Sequence, residues 1–244
     1  MKTSLIAAIL APCLILSAPV MAQEDDAEFG ERVRAYLLEN PEVIMEAVAA
    51  LEARQAEVQT AADADLIAAN SDALFQSGDD WIGGNPEGDV TIVEFFDYRC
   101  GYCRRAHPEV SELIESDGNI KLILKEFPIL GPQSVLASRF ALSTRAVAGD
   151  EAYGQVKDAL MTMEGDMTPD SLLALAEELD LDGQAILDGM GEPEIESTIS
   201  ANHALGQAMG ISGTPSFVFG DQMVRGYVPL DAMRELVEEE RGEG

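Results

Sequence analysis

The 244-residue chain has three cysteines, one tryptophan, two histidines, and only 15 lysines and arginines against 45 aspartates and glutamates. Each scarcity excludes something. A formal net charge of −30 repels phosphate backbones and anionic head groups, which argues against nucleic acid or anionic lipid as a partner. So few histidines and cysteines leave little for a four-ligand zinc site. The apolar run from Leu5 to Leu16 is shorter than a membrane-spanning helix requires. It follows Lys2 and leads through small residues and Pro19 to Val20-Met21-Ala22 before Gln23. A short basic start, a short apolar centre and a small residue at the cut describe a secretory signal peptide over residues 1–22, with an uncleaved anchor as the alternative.

Cleavage leaves 222 residues and removes Lys2 and Cys13, so 14 basic residues face 45 acidic ones and two cysteines remain, Cys100 and Cys103. Secreted chains commonly use cysteine pairs as staples. A bridge between positions three apart closes too small a loop to stabilise much, because the entropic gain grows with loop length. Such a pair in an oxidising compartment points to chemistry. A zinc half-site fails for want of ligands beyond His107 and His203, and both histidines read as solvated helix residues.

Residues from about Glu28 to Ala69 read as helix, broken at Asn40-Pro41. In the second part Ile44, Val48, Leu51, Gln55, Val58 and Ala62 alternate spacings of four and three, a heptad seam that implies a partner helix. A surface helix packed on its own domain is the alternative. Ser77 to Gly88 reads as a glycine-rich loop. Val90 to Phe96 is a strand apolar on both faces apart from Glu94, Cys100 to about Glu115 a helix, and Ile120 to Phe127 a second strand, so the unit is a parallel βαβ. A helical block from Gln133 to Met209 is punctuated at Gly149-Asp150, Thr168-Pro169, Asp182-Gly183 and Glu192-Pro193. Ser216–Phe219 and Met223–Arg225 form a hairpin around Gly220-Asp221-Gln222, and a last helix runs from Leu230 to about Glu240.

Cysteines at i and i+3 of a helix start share one face, within reach of a disulfide. Cys100 would sit where free backbone N–H groups and the helix dipole favour an anion. Arg99, Arg104 and Arg105 crowd the pair in an otherwise acidic chain, and a positive field of that kind lowers a thiol pKa. Cys100 is therefore the expected attacking thiol and Cys103, one turn further in, the resolving one. Glu94 on an apolar strand would have its pKa raised by burial, with a structural pairing to Lys125 as the alternative.

Taken together, Glu94, Cys100-Gly101-Tyr102-Cys103, Pro108 and Gly213-Thr214-Pro215 resemble the DsbA-like periplasmic oxidoreductases of the thioredoxin superfamily from about Trp81 onward. The resemblance implies an α/β thioredoxin fold (βαβ–ββα) with an inserted helical domain and an N-terminal helical arm. It implies a cis Pro215 facing the disulfide, a Thr214 backbone that pairs with extended substrate, and proton transfer at Cys103 assisted by Glu94. It further implies no cofactor, cysteine-bearing secreted proteins as substrates and a membrane protein as redox partner. The expected organisation is a signal peptide (1–22), an oligomerisation arm (23–76), the first half of the thioredoxin fold (77–130), the insertion (131–209) and the second half (210–244).

Gly101-Tyr102 between the cysteines, and Thr214 before Pro215, resemble the isomerase branch. The stretch Tyr36 to Ile44 resembles the arm of oligomeric copper-sensitivity-suppressor proteins with isomerase activity. Several tethered sites around one substrate favour isomerisation, so isomerase or reductase is preferred here to a monomeric oxidase. A copper-handling module built on Cys100, Cys103 and methionines such as Met161 and Met163 is the reading from another class, since soft ligands select Cu(I).

Overall fold

The computed structural model describes residues 26–243; the expected signal peptide, with Cys13, lies outside them. The chain divides into two compact units at Arg54 and Gln55. In the first, α1 (Asp26–Glu39) ends ahead of Pro41 and α2 (Glu42–Ala69) begins after it. Asn40 closes α1 from its side chain, Nδ2 donating to the Tyr36 carbonyl at 2.9 Å. Nothing on α1 is buried. Phe29, Val33 and Tyr36 are exposed, as are Ile44, Val48 and Leu51 of the expected seam.

The second unit contains the C-terminal end of α2, α3 (Ser71–Phe75), and a five-stranded sheet in the order β1-β3-β2-β4-β5. These strands are β1 (Trp81–Gly84), β2 (Val90–Phe96), β3 (Ile120–Glu126), β4 (Ser216–Phe219) and β5 (Gln222–Arg225). Only β2 and β3 run parallel, joined through α4 (Gly101–Asp117), as the expected βαβ unit requires. The insertion is α5 (Pro132–Thr162), α6 (Pro169–Glu178), α7 (Gly183–Gly189) and α8 (Pro193–Ala208), and α9 (Leu230–Glu243) closes the chain. Gly149 interrupts α5 at φ 90°, a conformation L side chains rarely adopt. Thr168 opens α6 with a capping box, its Oγ1 accepting from the Ser171 N–H while Ser171 Oγ accepts from the Thr168 N–H.

The sheet buries both faces, so β2 is apolar apart from the half-buried Thr91 and the buried Glu94. On one side Ile92 and Phe96 pack with residues of α4, α5 and α9. On the other, Val93, Phe95 and Ile123 pack with Ile67 of α2, Leu74 of α3 and Leu205 of α8. The last turns of α2 therefore belong to the core of the second unit. Asp63, also on α2, accepts both Arg225 guanidinium nitrogens at 2.7 and 2.8 Å.

Strand β1 departs from the expected loop. Four residues with two glycines carry no alternation to read, yet Trp81 to Gly84 pair antiparallel with Leu124 to Lys121. Gly84, at φ 67°, lets β1 lie close to β3, because a Cβ there would meet the Ile120 carbonyl oxygen.

Candidate active site

The redox loop is built before its cysteines are reached. Asp97, fully buried, accepts the Arg99 N–H on Oδ1 at 2.8 Å and the Ile129 and Leu130 N–H groups on Oδ2 at 2.8 and 3.0 Å. Its carbonyl accepts the Cys100 N–H at 3.0 Å. The turn that delivers Cys100 to the N-cap of α4 is thereby fixed to the segment after β3. Pro108 lies inside α4.

Both thiols are free and buried, with Cys103 fully enclosed and Cys100 7 % exposed. The peptide bond between Thr214 and Pro215 is cis, and Cys100 Sγ donates to the Thr214 carbonyl oxygen at 3.1 Å. Cys100 is held down to about 5, chiefly by the hydrogen bond from the Cys103 thiol. Thr214 and the backbone N–H groups of Cys103 and Tyr102 assist, against the upward push of burial. The Thr214 hydroxyl is buried with no hydrogen-bond partner in this dithiol state, so it is free to turn toward a thiolate. Burial, the hydrogen bond it gives Cys100 and the charge of Glu94 drive Cys103 in the opposite direction, well above the ordinary thiol range. One sulfur is therefore a ready nucleophile and the other a protonated reserve.

The arginines do not supply the field expected of them. Arg104 Nε donates to the Tyr98 carbonyl at 2.9 Å, and its Nη2 donates to the Leu160 carbonyl at 3.1 Å and to the Met163 carbonyl. Arg99 Nη1 donates to the Gly165 carbonyl at 2.8 Å. Arg105 lies over the Tyr227 ring, 4.4 Å from its centroid. Two of the three tie the redox loop to the insertion, and hydrogen bonds rather than guanidinium charge lower the Cys100 pKa.

Glu94 is 5 % exposed and pushed up to about 7, first by burial, with Lys157 opposing and Cys100 adding to the shift. It has no ion pair with Lys125. The register sets Glu94 beside Leu124 and Phe95 beside Lys125, so alternation sends the two charges to opposite faces. Lys125, 1 % exposed, instead pairs with Asp80 and donates to the Ala73 carbonyl at 2.6 Å.

A further buried carboxyl, unmarked in the sequence, sits at the end of β3. Glu126 Oε1 accepts from Tyr98 Oη at 2.7 Å and Tyr153 Oη at 2.8 Å, and Oε2 accepts from Ser138 Oγ at 2.7 Å. Burial raises it to about 7 against those three donors. Near the thiols, Tyr102 is exposed with its ring centroid 6.3 Å from that of Tyr227. His203 stacks on Phe127, and Met161 is buried in the core.

Residues 91–238 match the family described as a DSBA-like thioredoxin domain, and residues 25–57 match the copper resistance protein ScsC N-terminal domain. A thioredoxin-like oxidoreductase from Silicibacter pomeroyi DSS-3 is similar in structure, with a TM-score of 0.66 and 42% identity over 70% of this chain and 97% of that one. Proteus mirabilis ScsC in a transitional conformation gives a TM-score of 0.67 at 25% identity, over 90% of this chain and 98% of that one. A curated relative, the Na(+)/H(+) antiporter NhaA 1 of Salinispora arenicola (strain CNS-205), is 29% identical over 161 residues. That stretch is 65% of this chain and 24% of the antiporter, so the chain spans about a quarter of that relative's length. No described helix is long and apolar enough to cross a membrane.

Proposed function

The chain belongs to the DsbA-like thioredoxin-domain family of thiol–disulfide oxidoreductases, and from that membership we propose that it exchanges disulfides with exported proteins in the periplasm, acting as an isomerase or reductase. The observation that carries this reading is the divided pair: Cys100 at the start of α4 with its Sγ 3.1 Å from the Thr214 carbonyl oxygen and its pKa lowered, and Cys103 fully enclosed with its pKa raised. A lowered pKa on the attacking thiol stabilises the reduced form, and a raised one keeps the second thiol protonated until the mixed disulfide has formed.

In the reducing direction the Cys100 thiolate attacks a substrate disulfide and releases one substrate thiolate. Cys103, losing its proton to Glu94, then attacks Cys100 Sγ and frees the second. When a substrate thiolate attacks the mixed disulfide first, the same steps amount to isomerisation. The exposed Phe29, Val33, Ile44, Val48 and Leu51 support self-association through the arm, which would gather several sites on one substrate. A membrane redox partner would reset the couple. The alternative within the same chemistry is a monomeric oxidase.

Reduction potential and activity together test the proposal. A potential near −180 mV, of the order found for disulfide isomerases, with recovery of a scrambled multi-disulfide substrate, is the expected result. A potential near −120 mV with no recovery would return the protein to the oxidases.

A further inference from the structure

Tyr102, Arg105 and Glu109 follow one another along α4 at spacings of three and four, so they share one stripe of the helix. Tyr227, from the segment after β5, meets each of them. Its Oη donates to Glu109 Oε1 at 2.7 Å, its ring lies 4.4 Å from the Arg105 guanidinium, and the Tyr102 ring stands 6.3 Å away. Glu109 is further engaged at the start of α9, where Oε2 accepts the Leu230 N–H at 3.0 Å. The Gly226 N–H, next to Tyr227, donates to the Pro215 carbonyl at 2.9 Å. The cis-Pro loop that touches Cys100 through Thr214 therefore also holds Tyr227 in place.

Arg105 differs from the other two arginines of the redox loop. Arg99 and Arg104 spend donors on carbonyls of residues 160, 163 and 165. Arg105 is exposed, and no carboxylate among the described residues pairs with it. A guanidinium held over a ring still presents N–H donors at its edge, a geometry that matches a carboxylate. The rest of the chain works the other way, because a formal charge of −30 repels an acidic segment. A preference for a carboxylate beside Cys100 must therefore come from a local cation.

The spacing suits an extended substrate. Five residues of helix, the step from Cys100 to Arg105, advance about 7.5 Å, and two residues of strand advance about 6.6 Å. A segment lying along the Thr214 backbone with its sulfur at Cys100 brings the side chain two places away, on the same face, within reach of Arg105.

We propose that Arg105, held by Tyr227, is a specificity-determining residue that favours substrates carrying an aspartate or glutamate two positions from the reactive cysteine. The inference rests on the reading of the chain as a thiol–disulfide oxidoreductase and names a substrate class for it. In each encounter the Cys100 thiolate bonds to one substrate sulfur, the substrate S–S bond breaks, and the other substrate sulfur leaves with the electron pair. Arg105 holds the carboxylate while that exchange takes place. Tyr102, exposed between the two cysteines, offers the segment an apolar surface.

The test is the rate at which peptide disulfides oxidise the reduced full chain, followed by rapid mixing. Each peptide has one cysteine, disulfide-linked to mercaptoethanol, with Glu, Gln or Lys placed two positions to one side of it or the other. Reaction of the same peptides with free mercaptoethanol gives their intrinsic reactivities, to which the protein's rates are normalised. At low salt the Glu peptide should exceed the Gln peptide by about fivefold on one side of the cysteine, with the Lys peptide slowest. Arg105→Gln and Tyr227→Leu should bring that ratio towards one, and Arg105→Glu should invert it in favour of Lys. Each ratio is taken within one variant, so a general slowing or partial loss of folded protein cancels. A parent ratio of one or below on both sides, or an unaltered ratio in Arg105→Gln or Tyr227→Leu, overturns the inference. Exchange with every peptide at one normalised rate removes the selectivity and leaves the oxidoreductase reading standing, whereas no exchange with any peptide removes both.

Discussion

Cys100 Sγ and the carbonyl oxygen of Thr214 meet at 3.1 Å across 114 positions of sequence. That contact joins the start of α4 to the loop before β4, and it puts the Thr214 hydroxyl, buried and unpartnered, beside the sulfur that must carry charge. The thiolate is thus served by Cys103, Thr214 and two backbone N–H groups, hydrogen bonds at a buried site that salt screens little.

Replacing Thr214 with Val keeps the backbone carbonyl and the side-chain shape but removes the hydroxyl. The Cys100 midpoint should rise from about 5, and the reduction potential should fall as the reduced form loses stabilisation. Ultraviolet absorbance of the thiolate against pH measures the first, equilibration with a glutathione buffer the second. Arg105→Gln should leave the midpoint in place, since that guanidinium stacks on Tyr227.

The two thiols should separate in trapping. Cys103→Ser should accumulate mixed disulfides with substrate proteins, because nothing resolves them, and Cys100→Ser should accumulate none. At neutral pH an alkylating agent should label Cys100 of the reduced protein and spare Cys103, which mass spectrometry of the peptides would show. Equal labelling would reverse the assignment.

Glu94 and Glu126 give folding a pH dependence of definite sign. Burial raises both from an unfolded value of 4.5 to about 7. Their contribution is therefore complete below pH 4.5 and is lost as pH rises through 7. Each should cost about 3 kcal/mol of stability across that window. Urea titrations of the oxidised protein, in which Cys100 no longer ionises, should show the midpoint falling from pH 5 to pH 8. Glu126→Gln should flatten part of the slope, and a pH-independent midpoint in the parent would contradict it.

Lys125 and Asp80 form a buried pair, the two side chains 1% and 3% exposed. Removing one partner leaves an uncompensated charge, so Asp80→Asn should destabilise by about 3–5 kcal/mol. Replacing both, as Lys125→Met with Asp80→Leu, should recover most of that loss. Chemical denaturation of the three variants provides the double-mutant cycle.

The parts that were legible in the sequence were those written in local pattern. Cys100 and Cys103, the two-faced apolar strand around Glu94, and the breaks at Gly149, Thr168 and Glu192 each announce themselves within a few residues. What escaped depends on register and distant packing. Whether Lys125 faces Glu94 is decided by strand alternation against a paired neighbour. Strand β1 has too few side chains to show a period, and Lys157 lines a cavity with Glu94 only because α5 packs against α4. Glu126 looks like the polar end of an apolar strand until Tyr98, Tyr153 and Ser138 close on it. Arg104 looked electrostatic because proximity in sequence hid its acceptors, the carbonyls of residues 98, 160 and 163.

The arm can be removed cleanly only at the right place. A cut at Ser71 would strip Ile67 from the core it shares with Leu74 and Val93 and break the Asp63–Arg225 pair, so loss of activity there would report unfolding. A cut between Arg54 and Gln55 keeps both and removes only residues of the first unit. That shortened protein should remain folded and keep its Cys100 midpoint, since every group around the thiols lies downstream. If the exposed Ile44, Val48 and Leu51 drive self-association, light scattering should show the full chain as an oligomer and the shortened one as a monomer. The monomer should still reduce a simple disulfide such as that of insulin. It should lose most activity on a scrambled substrate, where a second tethered site raises the effective concentration. A full-length protein that is monomeric at micromolar concentration would remove the arm from the argument and leave the oxidase reading ahead.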